Sequence, residues 1–521
     1  MWKYDPNNDF WTYFGGSVDP DSTRGEYGTK GLGAITNKPR SRWHGNSWYA
    51  NDGKLWFFGG IAAEGNGGDI VWLNDLWSYD PIGEIYTWES GSSQADVQGT
   101  YGSKGISNIN NTPGARSSAT SWVDEEGNFW LFGGYESFEY YNDLWRFNPS
   151  TKSWTWISGR NSQNIPGSYG VKGEENSQNE IGSRRYTGSW VDDEGNFWVF
   201  GGQGRDKSSQ LGLLNDLWKY NPVTDNWTWM KGSDSINAEG HYGILGIPDS
   251  SNNPPARYGY THWKDNVGNF WLFGGVAVNE WFNDLWRYDV RTNEWTWFGG
   301  GKANFDELAA TAPYYNLSNY GTKGFGDSTN SIGNRERAMG FKNDNHALWL
   351  FGGRTATSLG FNDLWQISFV PGKPFLYPID TVQSNSFSFS FDEAWASSYI
   401  IQLSLEEDFI DVLSEFNTSN RNISIGDLEP ATIYYYRIKS VNSFGQSEYT
   451  SAKNILTLPP KPTIQALQND QIKQNEVTLE WNLLPGEINE YILQISSDST
   501  FIDNTKFING YTSKSIISDI N

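Results

Sequence analysis

The most regular feature of the chain is a short run of apolar residues that ends in a glycine pair. The run occurs five times, as LWFFGG (55–60), FWLFGG (129–134), FWVFGG (197–202), FWLFGG (270–275) and LWLFGG (348–353). Each run is followed by NDLW, at 74–77, 142–145, 215–218, 283–286 and 362–365. A short apolar run bounded by turn residues predicts a strand covered on both faces. Its recurrence at a nearly constant period predicts a repeat architecture whose units bury their apolar faces against neighbours.

Residues 114–159 show what one unit contains. ARSSATSWVD (115–124) and NFWLFGG (128–134) predict two strands joined by a tight turn. NDLWRFNP (142–149) and SWTWISG (153–159) predict a third and a fourth strand, each with aromatic residues alternating at period two. Four short antiparallel strands that repeat about an axis are typical of a β-propeller blade. The predicted fold class is therefore all-β.

These residues resemble the kelch repeat, which has an Arg in strand 1, Gly-Gly after strand 2, an aromatic pair in strand 3 and a Trp in strand 4. The resemblance covers residues 1–370 and is strongest to the bacterial form related to the central domain of galactose oxidase. It implies a propeller with five to six visible blades; the whole ring could have five, six or seven, and we favour six. Complete units are expected at 40–91, 114–159, 182–232 and 255–299, and a three-stranded unit at 333–369. WKYDP (2–6) and FWTYF (10–14) resemble third and fourth strands, so we expect the chain to begin inside a repeat and FWTYF to complete the fifth unit and close the ring.

The pattern changes after VPGKP (370–374), where strands of period two follow. LEPATIYYYRIKSVNSFG (428–445) resembles a fibronectin type III domain, and Tyr434 stands where that family has its corner tyrosine, which bonds back to the backbone. The resemblance implies one such domain over 375–460 and a second, truncated one over 461–521. Such Ig-like sandwiches are usually spacers that hold a binding domain away from a surface.

Composition excludes several kinds of partner and chemistry. The formal net charge is −23, which disfavours a nucleic-acid partner. The chain has no Cys, which excludes disulfides, thiolate catalysis and Cys-ligated zinc. It also lacks an apolar run of 18 residues, so we expect no membrane insertion. We expect a monomer at the cell surface or outside the cell, a location implied by the family resemblance, although no signal peptide opens the chain.

Candidate site residues were sought on the propeller face that carries the long loops between strands 2 and 3 and between strands 4 and 1. One set is an Arg in strand 1 of every unit, expected to ring the mouth of the central channel. It has two interpretations: a clamp for carboxylates or sulfates, as Arg forks suit both, or a structural pair with the Asp of each NDLW. The structural pair is favoured because both residues repeat. The set comprises Arg42, Arg116, Arg184, Arg257 and Arg335.

A second candidate set breaks the repeat and lies in the loops between strands 2 and 3. Exposed aromatics beside carboxylates are the usual means of stacking and hydrogen-bonding sugars, whereas the alternative is ordinary loop decoration with some aromatics packed into the channel. The principal members are Trp72, Tyr135, Tyr140, Glu280, Trp281 and Arg354, with Glu64, Asp69, Glu136, Phe138, Arg205 and Asp206 in the same loops. The repeating Tyr of the YGxxG motif (Tyr27, Tyr101, Tyr169, Tyr242 and Tyr320) is expected to pack its loop instead.

Nothing in the sequence indicates catalysis. Galactose oxidase needs copper and a Tyr joined to a Cys, and that cofactor cannot form without Cys. The four histidines (His44, His241, His262 and His346) do not suggest a copper or zinc cluster, so no metal or cofactor is predicted. We expect a non-catalytic recognition or adhesion protein that binds a polysaccharide or a surface protein. The alternatives are a carbohydrate-active enzyme acting at the loop-rich mouth and a self-associating adhesin component.

Overall fold

The computed structural model is all-β, and its described residues form strands without a helix. Residues described are 2–5, 10–13, 25–63, 69–304, 318–323, 329–342, 348–355, 360–367, 371, 373–391, 396, 398–442, 445–461, 463–465, 472–473, 476–482, 491–495, 506–510 and 514–518. The chain divides into two compact units, Met1–Ile367 and Ser368–Asn521. Within the described part, no helix is long and apolar enough to span a membrane.

Five antiparallel sheets follow the five sequence units in order. In the first four, strand 1 pairs with strand 2, strand 2 with strand 3 and strand 3 with strand 4, so strands that are consecutive in the sequence are neighbours in the sheet. The first sheet comprises β3 (Asn46–Tyr49), β4 (Leu55–Ala63), β5 (Ile70–Asp80) and β6 (Ile85–Ser90). The second comprises β7 (Thr120–Val123), β8 (Phe129–Phe132), β11 (Leu144–Asn148) and β12 (Ser153–Ser158). A small hairpin, β9 (Tyr135–Glu136) and β10 (Glu139–Tyr140), interrupts the second sheet.

The remaining sheets of this unit differ mainly at their edges. The third comprises β13 (Arg184–Arg185), β14 (Gly188–Val191), β15 (Phe197–Arg205), β16 (Leu211–Asn221) and β17 (Asn226–Lys231). The fourth comprises β18 (Thr261–Lys264), β19 (Phe270–Val276), β20 (Glu280–Asp289), β21 (Glu294–Gly299) and β22 (Lys302–Asn304). The fifth has three strands, as the sequence predicts: β23 (Met339–Lys342), β24 (Leu348–Phe351) and β25 (Leu364–Ile367).

The core of this unit lies between neighbouring sheets. Trp48 of the first sheet stacks on Phe129 of the second, with ring centroids 5.2 Å apart. The same stacked contact joins Trp122 to Phe197 at 5.1 Å and Trp190 to Phe270 at 4.9 Å. Strand 2 is therefore apolar on both faces because each face meets a different neighbour. This arrangement of repeated, face-packed sheets is consistent with a β-propeller.

The glycine pair after strand 2 brings consecutive sheets close together. Gly59 and Gly60 have φ of 63° and 102°, and the ladder between β4 and β5 shifts register there. The Gly60 amide donates to the carbonyl of Arg116 in the next sheet at 2.9 Å. A Cβ on Gly59 would lie 2.7 Å from that carbonyl oxygen, so the approach requires glycine.

The N-terminal strands, β1 (Trp2–Asp5) and β2 (Phe10–Tyr13), form a hairpin that pairs like strands 3 and 4 of a full sheet. Trp2 is opposite Tyr13, just as Trp145 is opposite Trp156 in the second sheet. Trp11 meets Phe351 of the fifth sheet with ring centroids 5.0 Å apart. Strand-4 Trp residues make this contact with the preceding sheet elsewhere, as Phe58 and Trp154 do at 5.4 Å. The hairpin thus lies next to the fifth sheet but does not complete it as expected, because β2 pairs with β1 and the fifth sheet keeps three described strands. The blade count stays a prediction.

The C-terminal unit contains two facing sheets over the region predicted as the first sandwich. One comprises β26 (Leu376–Val382), β27 (Phe387–Phe391) and β30 (Asn422–Ile425); the other comprises β28 (Ser398–Ser404), β29 (Val412–Thr418), β31 (Ile433–Asn442), β32 (Gly445–Gln446) and β33 (Lys453–Leu456). Their inner residues form one core. The Tyr434 hydroxyl accepts a hydrogen bond from the Glu429 amide at 2.8 Å, the backbone contact expected of a corner tyrosine.

Five further strands lie in the region predicted as a second, truncated sandwich. They form sheets of three and two strands: β34 (Ile472–Lys473), β35 (Glu476–Glu480) and β38 (Lys514–Ser518), and β36 (Tyr491–Ile495) with β37 (Lys506–Gly510). The assignment of either region to the fibronectin type III family stays a prediction.

Candidate functional site

The repeated arginines lie at the start of each sheet and are buried with the Asp of NDLW. Arg116 donates from NH1 to Asp143 Oδ1 at 2.6 Å and from NH2 to Oδ2 at 2.9 Å. Its Nε and NH1 also donate to the carbonyls of Gly114 and Gly133. Both side chains of the ion pair are 0% exposed. Equivalent pairs are Arg42–Asp75, Arg184–Asp216, Arg257–Asp284 and Arg335–Asp363.

Each of these Asp carboxylates also receives two neutral donors. Tyr101 from YGSKG donates its hydroxyl to Asp143 Oδ2 at 2.6 Å, and the indole of Trp145 donates to the same oxygen at 2.7 Å. The repeating Tyr makes this hydrogen bond in all five copies. Burial opposes ionisation of Asp75, but Arg42, Tyr27 and Trp77 outweigh it, so the pKa of Asp75 is lowered.

These contacts match the structural interpretation of the repeated Arg and Tyr. The Arg–Asp–Tyr–Trp group ties the loop before strand 1 to strands 1 and 3 of the same sheet. Four of the five arginine side chains are no more than 1% exposed. These four arginines are therefore buried in ion pairs and are not exposed to a ligand at the channel mouth.

The second residue after each repeated Arg bends the chain near the start of its sheet. This residue has positive φ in every copy: His44, Ser118, Tyr186, Gly259 and Arg337 have φ of 57°, 56°, 55°, 69° and 56°. This kink delays strand 1, so β7 begins at Thr120 rather than at 115 as predicted. It also lets the amide of Ser118 donate to the His44 carbonyl and that of Tyr186 to the Ser118 carbonyl, at 2.9 and 3.1 Å.

First strands of successive sheets contact one another, and Arg337 of the fifth sheet reaches His44 of the first. Side chains from all five sheets therefore converge around a common axis. We call the connected group of side chains there the axial mouth: His44, Tyr135, Tyr140, Arg185, Tyr186, Gln203, Tyr258, Glu336, Arg337 and Arg354.

One half of the axial mouth is aromatic. The Arg185 guanidinium lies 3.8 Å from the ring centroid of Tyr135 and 5.0 Å from that of Tyr186. Arg185 also donates from Nε and NH2 to Gln203 Oε1, at 3.0 and 2.8 Å. The Tyr140 hydroxyl donates to the same oxygen at 3.1 Å. Arg185 is thereby held over the Tyr135 ring, with no acidic partner among these contacts.

The other half carries the fifth sheet's charges. Arg354 Nε donates to Glu336 Oε1 at 2.6 Å, and Arg337 Nε lies 3.5 Å from Glu336 Oε2. The Arg337 guanidinium also lies 4.6 Å from the ring centroid of Tyr186, which connects the two halves. Glu336 is buried, whereas Arg337 and Arg354 are partly exposed. The two guanidiniums thus share one carboxylate.

His44 stands between the halves and is neutral at pH 7. Burial, together with the positive charges of Arg337, Arg354 and Arg185, lowers the pKa of His44 to about 4. The distance from Arg337 NH1 to His44 Nε2 is 3.3 Å. Because the neutral ring can leave Nε2 unprotonated, that nitrogen can accept a hydrogen bond from Arg337.

The axial mouth therefore has a positive charge in an otherwise acidic chain. Among its described residues there are three guanidiniums (Arg185, Arg337 and Arg354) and one carboxylate (Glu336). The formal net charge of the whole chain is −23. No group of three or more metal-ligating side chains occurs in the described part of the chain. The arrangement is suited to binding an anion together with an apolar ring face.

The structure brings some of the predicted loop residues to this mouth and separates others. Tyr135, Tyr140 and Arg354 belong to it, and Trp72 lies beside it, 6.0 Å from Tyr135 between ring centroids. Glu280 and Trp281 lie instead where β20 pairs with β22. Asp206 accepts from the amides of Ser208 and Gln210 and so stabilises its own loop. Glu64 and His346 lie outside the described residues.

Sequence reasoning missed seven members of the mouth: His44, Arg185, Tyr186, Gln203, Tyr258, Glu336 and Arg337. For all of them but Gln203 a signal was present. Aligned on the repeated Arg, the five copies read RWH (42–44), RSS (116–118), RRY (184–186), RYG (257–259) and RER (335–337). The first position repeats and the next two vary, which is the pattern expected of residues with structural and ligand-facing roles respectively.

Comparisons with known proteins show a distant similarity. No protein-family model matches the chain. An N-acetylneuraminate epimerase of Shigella boydii serotype 4 (strain Sb227) is 25% identical over 172 residues, which cover 30% of this chain and 43% of the relative. The chain therefore matches less than half of that protein's length. This similarity and the all-β structure fit a kelch-type β-propeller.

Proposed function

We propose that the N-terminal unit recognises a carboxylated saccharide at the axial mouth. The observation that carries the proposal is the excess of positive charge there, three guanidiniums against one carboxylate among the described residues. A planar guanidinium matches the two oxygens of a carboxylate, and buried or half-buried surroundings strengthen that attraction relative to water.

Aromatic rings in the same place favour a sugar over a simple inorganic anion. Tyr135 and Tyr186 both face Arg185, and Tyr186 also faces Arg337. An aromatic face offers apolar contact area at low entropic cost, while a tyrosine hydroxyl can bond to sugar hydroxyls. The name of the distant relative refers to a carboxylated sugar, which supports the same ligand class.

The remaining expectations complete this proposal. The sandwich of the C-terminal unit would be a fibronectin type III spacer that holds the propeller away from a surface. The protein would act at the cell surface or outside the cell, as a monomer, on a polysaccharide or on the glycan of a surface protein. The acidic net charge supports the absence of nucleic acid among its partners.

Calorimetric titration of the whole chain tests the proposal. The probes are N-acetylneuraminate, glucuronate and galacturonate, with galactose as the neutral comparison. We expect at least one acid to bind and galactose not to. Arg337→Gln and Arg354→Gln should each weaken acid binding at least tenfold, whereas Arg160→Gln should not, because Arg160 pairs with Glu180 on the surface. Folded Arg337→Gln and Arg354→Gln variants that bind like the parent chain would contradict the proposal.

A second candidate is catalysis at the same mouth, close to the alternative of a carbohydrate-active enzyme. The observation in its favour is His44, whose ring lies beside Arg337 and is unprotonated at pH 7, the form that a general base requires. The relative's name supports an epimerisation. Exchange NMR on N-acetylneuraminate decides between the two by measuring the rate at which its epimers interconvert. A faster rate that His44→Gln and Glu336→Gln abolish indicates an enzyme, and binding without a faster rate indicates a recognition protein.

A further inference from the structure

A strained aromatic residue projects beside the axial mouth. β9 and β10 are joined by the two residues Ser137 and Phe138, whose φ angles are 43° and 71°. Positive φ at both central positions defines a type I′ turn, which Asn-Gly and other Gly-containing pairs favour. A bulky side chain rarely adopts this backbone conformation, and such outliers are concentrated at binding sites. The preferences of the turn therefore do not explain why Phe138 occupies this strained position.

Packing does not explain why Phe138 occupies this position. Its side chain is 83% exposed, so it contributes little to the core. The rest of the hairpin is well anchored: the Tyr140 carbonyl accepts from the Asn164 amide at 2.7 Å, and Asn164 Nδ2 donates to Glu139 Oε2 at 2.6 Å. The hairpin thus presents one apolar ring to solvent from a fixed base.

Phe138 continues the aromatic half of the mouth outward. Its ring centroid is 6.4 Å from that of Tyr135, which lies under the guanidinium of Arg185. Trp72 of the first sheet meets the same Tyr135. A ligand whose anionic group reached the arginines would therefore extend past Tyr135 and over Phe138.

We propose that Phe138, with Tyr135, forms a second subsite that stacks the face of the neutral sugar next to the terminal acidic one. This inference rests on the proposed function and deepens it: the ligand would be an oligosaccharide that ends in a carboxylated sugar. A sugar has an apolar face of C–H groups, and a solvent-exposed ring is suited to cover it.

The experiment compares N-acetylneuraminate with a trisaccharide in which it is linked to lactose, and uses lactose alone as a third probe. The whole chain should bind the trisaccharide about tenfold more tightly than the monosaccharide, a ratio equal to about 1.4 kcal/mol. Phe138→Ala should reduce that ratio to about one and leave monosaccharide affinity unchanged. Ser209→Gly, at another positive-φ loop residue (φ 62°), is the matched control and should preserve the ratio.

A double variant distinguishes loss of the second subsite from loss of folding. Ser137→Asn with Phe138→Gly installs the pair that the turn prefers, so its melting temperature should not fall, yet the trisaccharide advantage should disappear. Equal binding of both acidic probes by the parent chain, or an advantage that survives in the folded double variant, overturns the subsite alone. Failure of every acidic probe to bind overturns the proposed function and this inference with it.

Discussion

Arg116 and Asp143 form a two-point ion pair with no exposed side-chain surface, at 2.6 and 2.9 Å. The carboxylate that accepts both bonds is held further by Tyr101 and Trp145. A buried charge with this many partners is stable only while all of them remain, because the ion has lost its hydration.

Replacing Arg116 by Ala should therefore lower the free energy of unfolding by about 3–5 kcal/mol, since Asp143 would stay buried without its counter-charge. Denaturant titration measures this change. Arg160→Ala is the control, because Arg160 is 62% exposed beside Glu180 and should cost about 0–1 kcal/mol. An Arg116→Ala variant with unchanged stability and weakened acid binding would instead restore the clamp interpretation.

The sequence was sufficient to predict this pair because both partners repeat. An Arg and an Asp that recur in five copies must have a role that the repeat itself requires. The axial mouth was not predictable by the same reasoning, since Glu336 and Arg337 occur once and directly follow the repeated Arg335. Period-two alternation assigns such residues to a strand. The positive φ that turns Arg337 toward the axis depends on its contact with the neighbouring sheet, where its amide donates to the Gly259 carbonyl at 2.5 Å.

The exact strand bounds and the turn between β9 and β10 also could not be predicted from the local sequence. The apolar runs predicted the positions of the strands. The left-handed conformation of Ser118, however, makes the first strand of the second sheet begin later than predicted. Ser137 and Phe138 lack the Asn-Gly or other Gly-containing pair that a type I′ turn favours, so local sequence disfavours the conformation that they adopt. The surrounding hydrogen bonds of Glu139 and Tyr140 impose it.

Removing the Tyr hydroxyl of YGxxG should destabilise the chain in proportion to its burial. Tyr169 is 6% exposed and donates to Asp216 at 2.7 Å, whereas Tyr320 is 47% exposed and donates to Asp363 at 3.0 Å. Tyr169→Phe should cost about 1.5–3 kcal/mol, the range for a hydrogen bond to a charged group, and Tyr320→Phe less than about 1 kcal/mol. Equal losses, measured by thermal unfolding, would show that the hydroxyl acts independently of burial.

Two glycines with nearly the same φ allow the cost of backbone strain and the cost of steric overlap to be measured separately. Gly159 and Gly173 have φ of 78° and 79°. A Cβ on Gly159 would lie 2.1 Å from the Asn142 carbonyl oxygen, whereas one on Gly173 meets no described atom within 4 Å. Gly173→Ala should therefore cost about 1–2 kcal/mol, from the conformation alone, and Gly159→Ala about 1–3 kcal/mol more. Similar losses for the two variants would mean that the loop at Gly159 can shift.

Stability should fall between pH 6.5 and pH 4 partly because of His44. Its pKa is lowered from 6.5 to about 4 in the folded chain, so the unfolded chain binds a proton in this window and the folded chain does not. The contribution is fully present above pH 6.5 and is lost as pH falls through 4. His44→Gln should flatten this part of the melting temperature–pH curve. An unchanged slope in the variant would mean that other groups titrate there.

Acid binding at the axial mouth should weaken as salt is added. The attraction arises from Arg337, Arg354 and Arg185, of which the first two share one carboxylate. Mobile ions screen the attraction between partly exposed charges, with a screening length of about 10 Å at 0.1 M salt. The stacking of a neutral sugar on Phe138 involves no charge, so the trisaccharide-to-monosaccharide ratio should stay constant while both absolute affinities fall. Titrations at 0.02 M and 0.2 M salt measure the two effects together. Acid affinity that is independent of salt would place the ligand away from the three guanidiniums, and a ratio that fell with salt would give the second subsite an electrostatic origin.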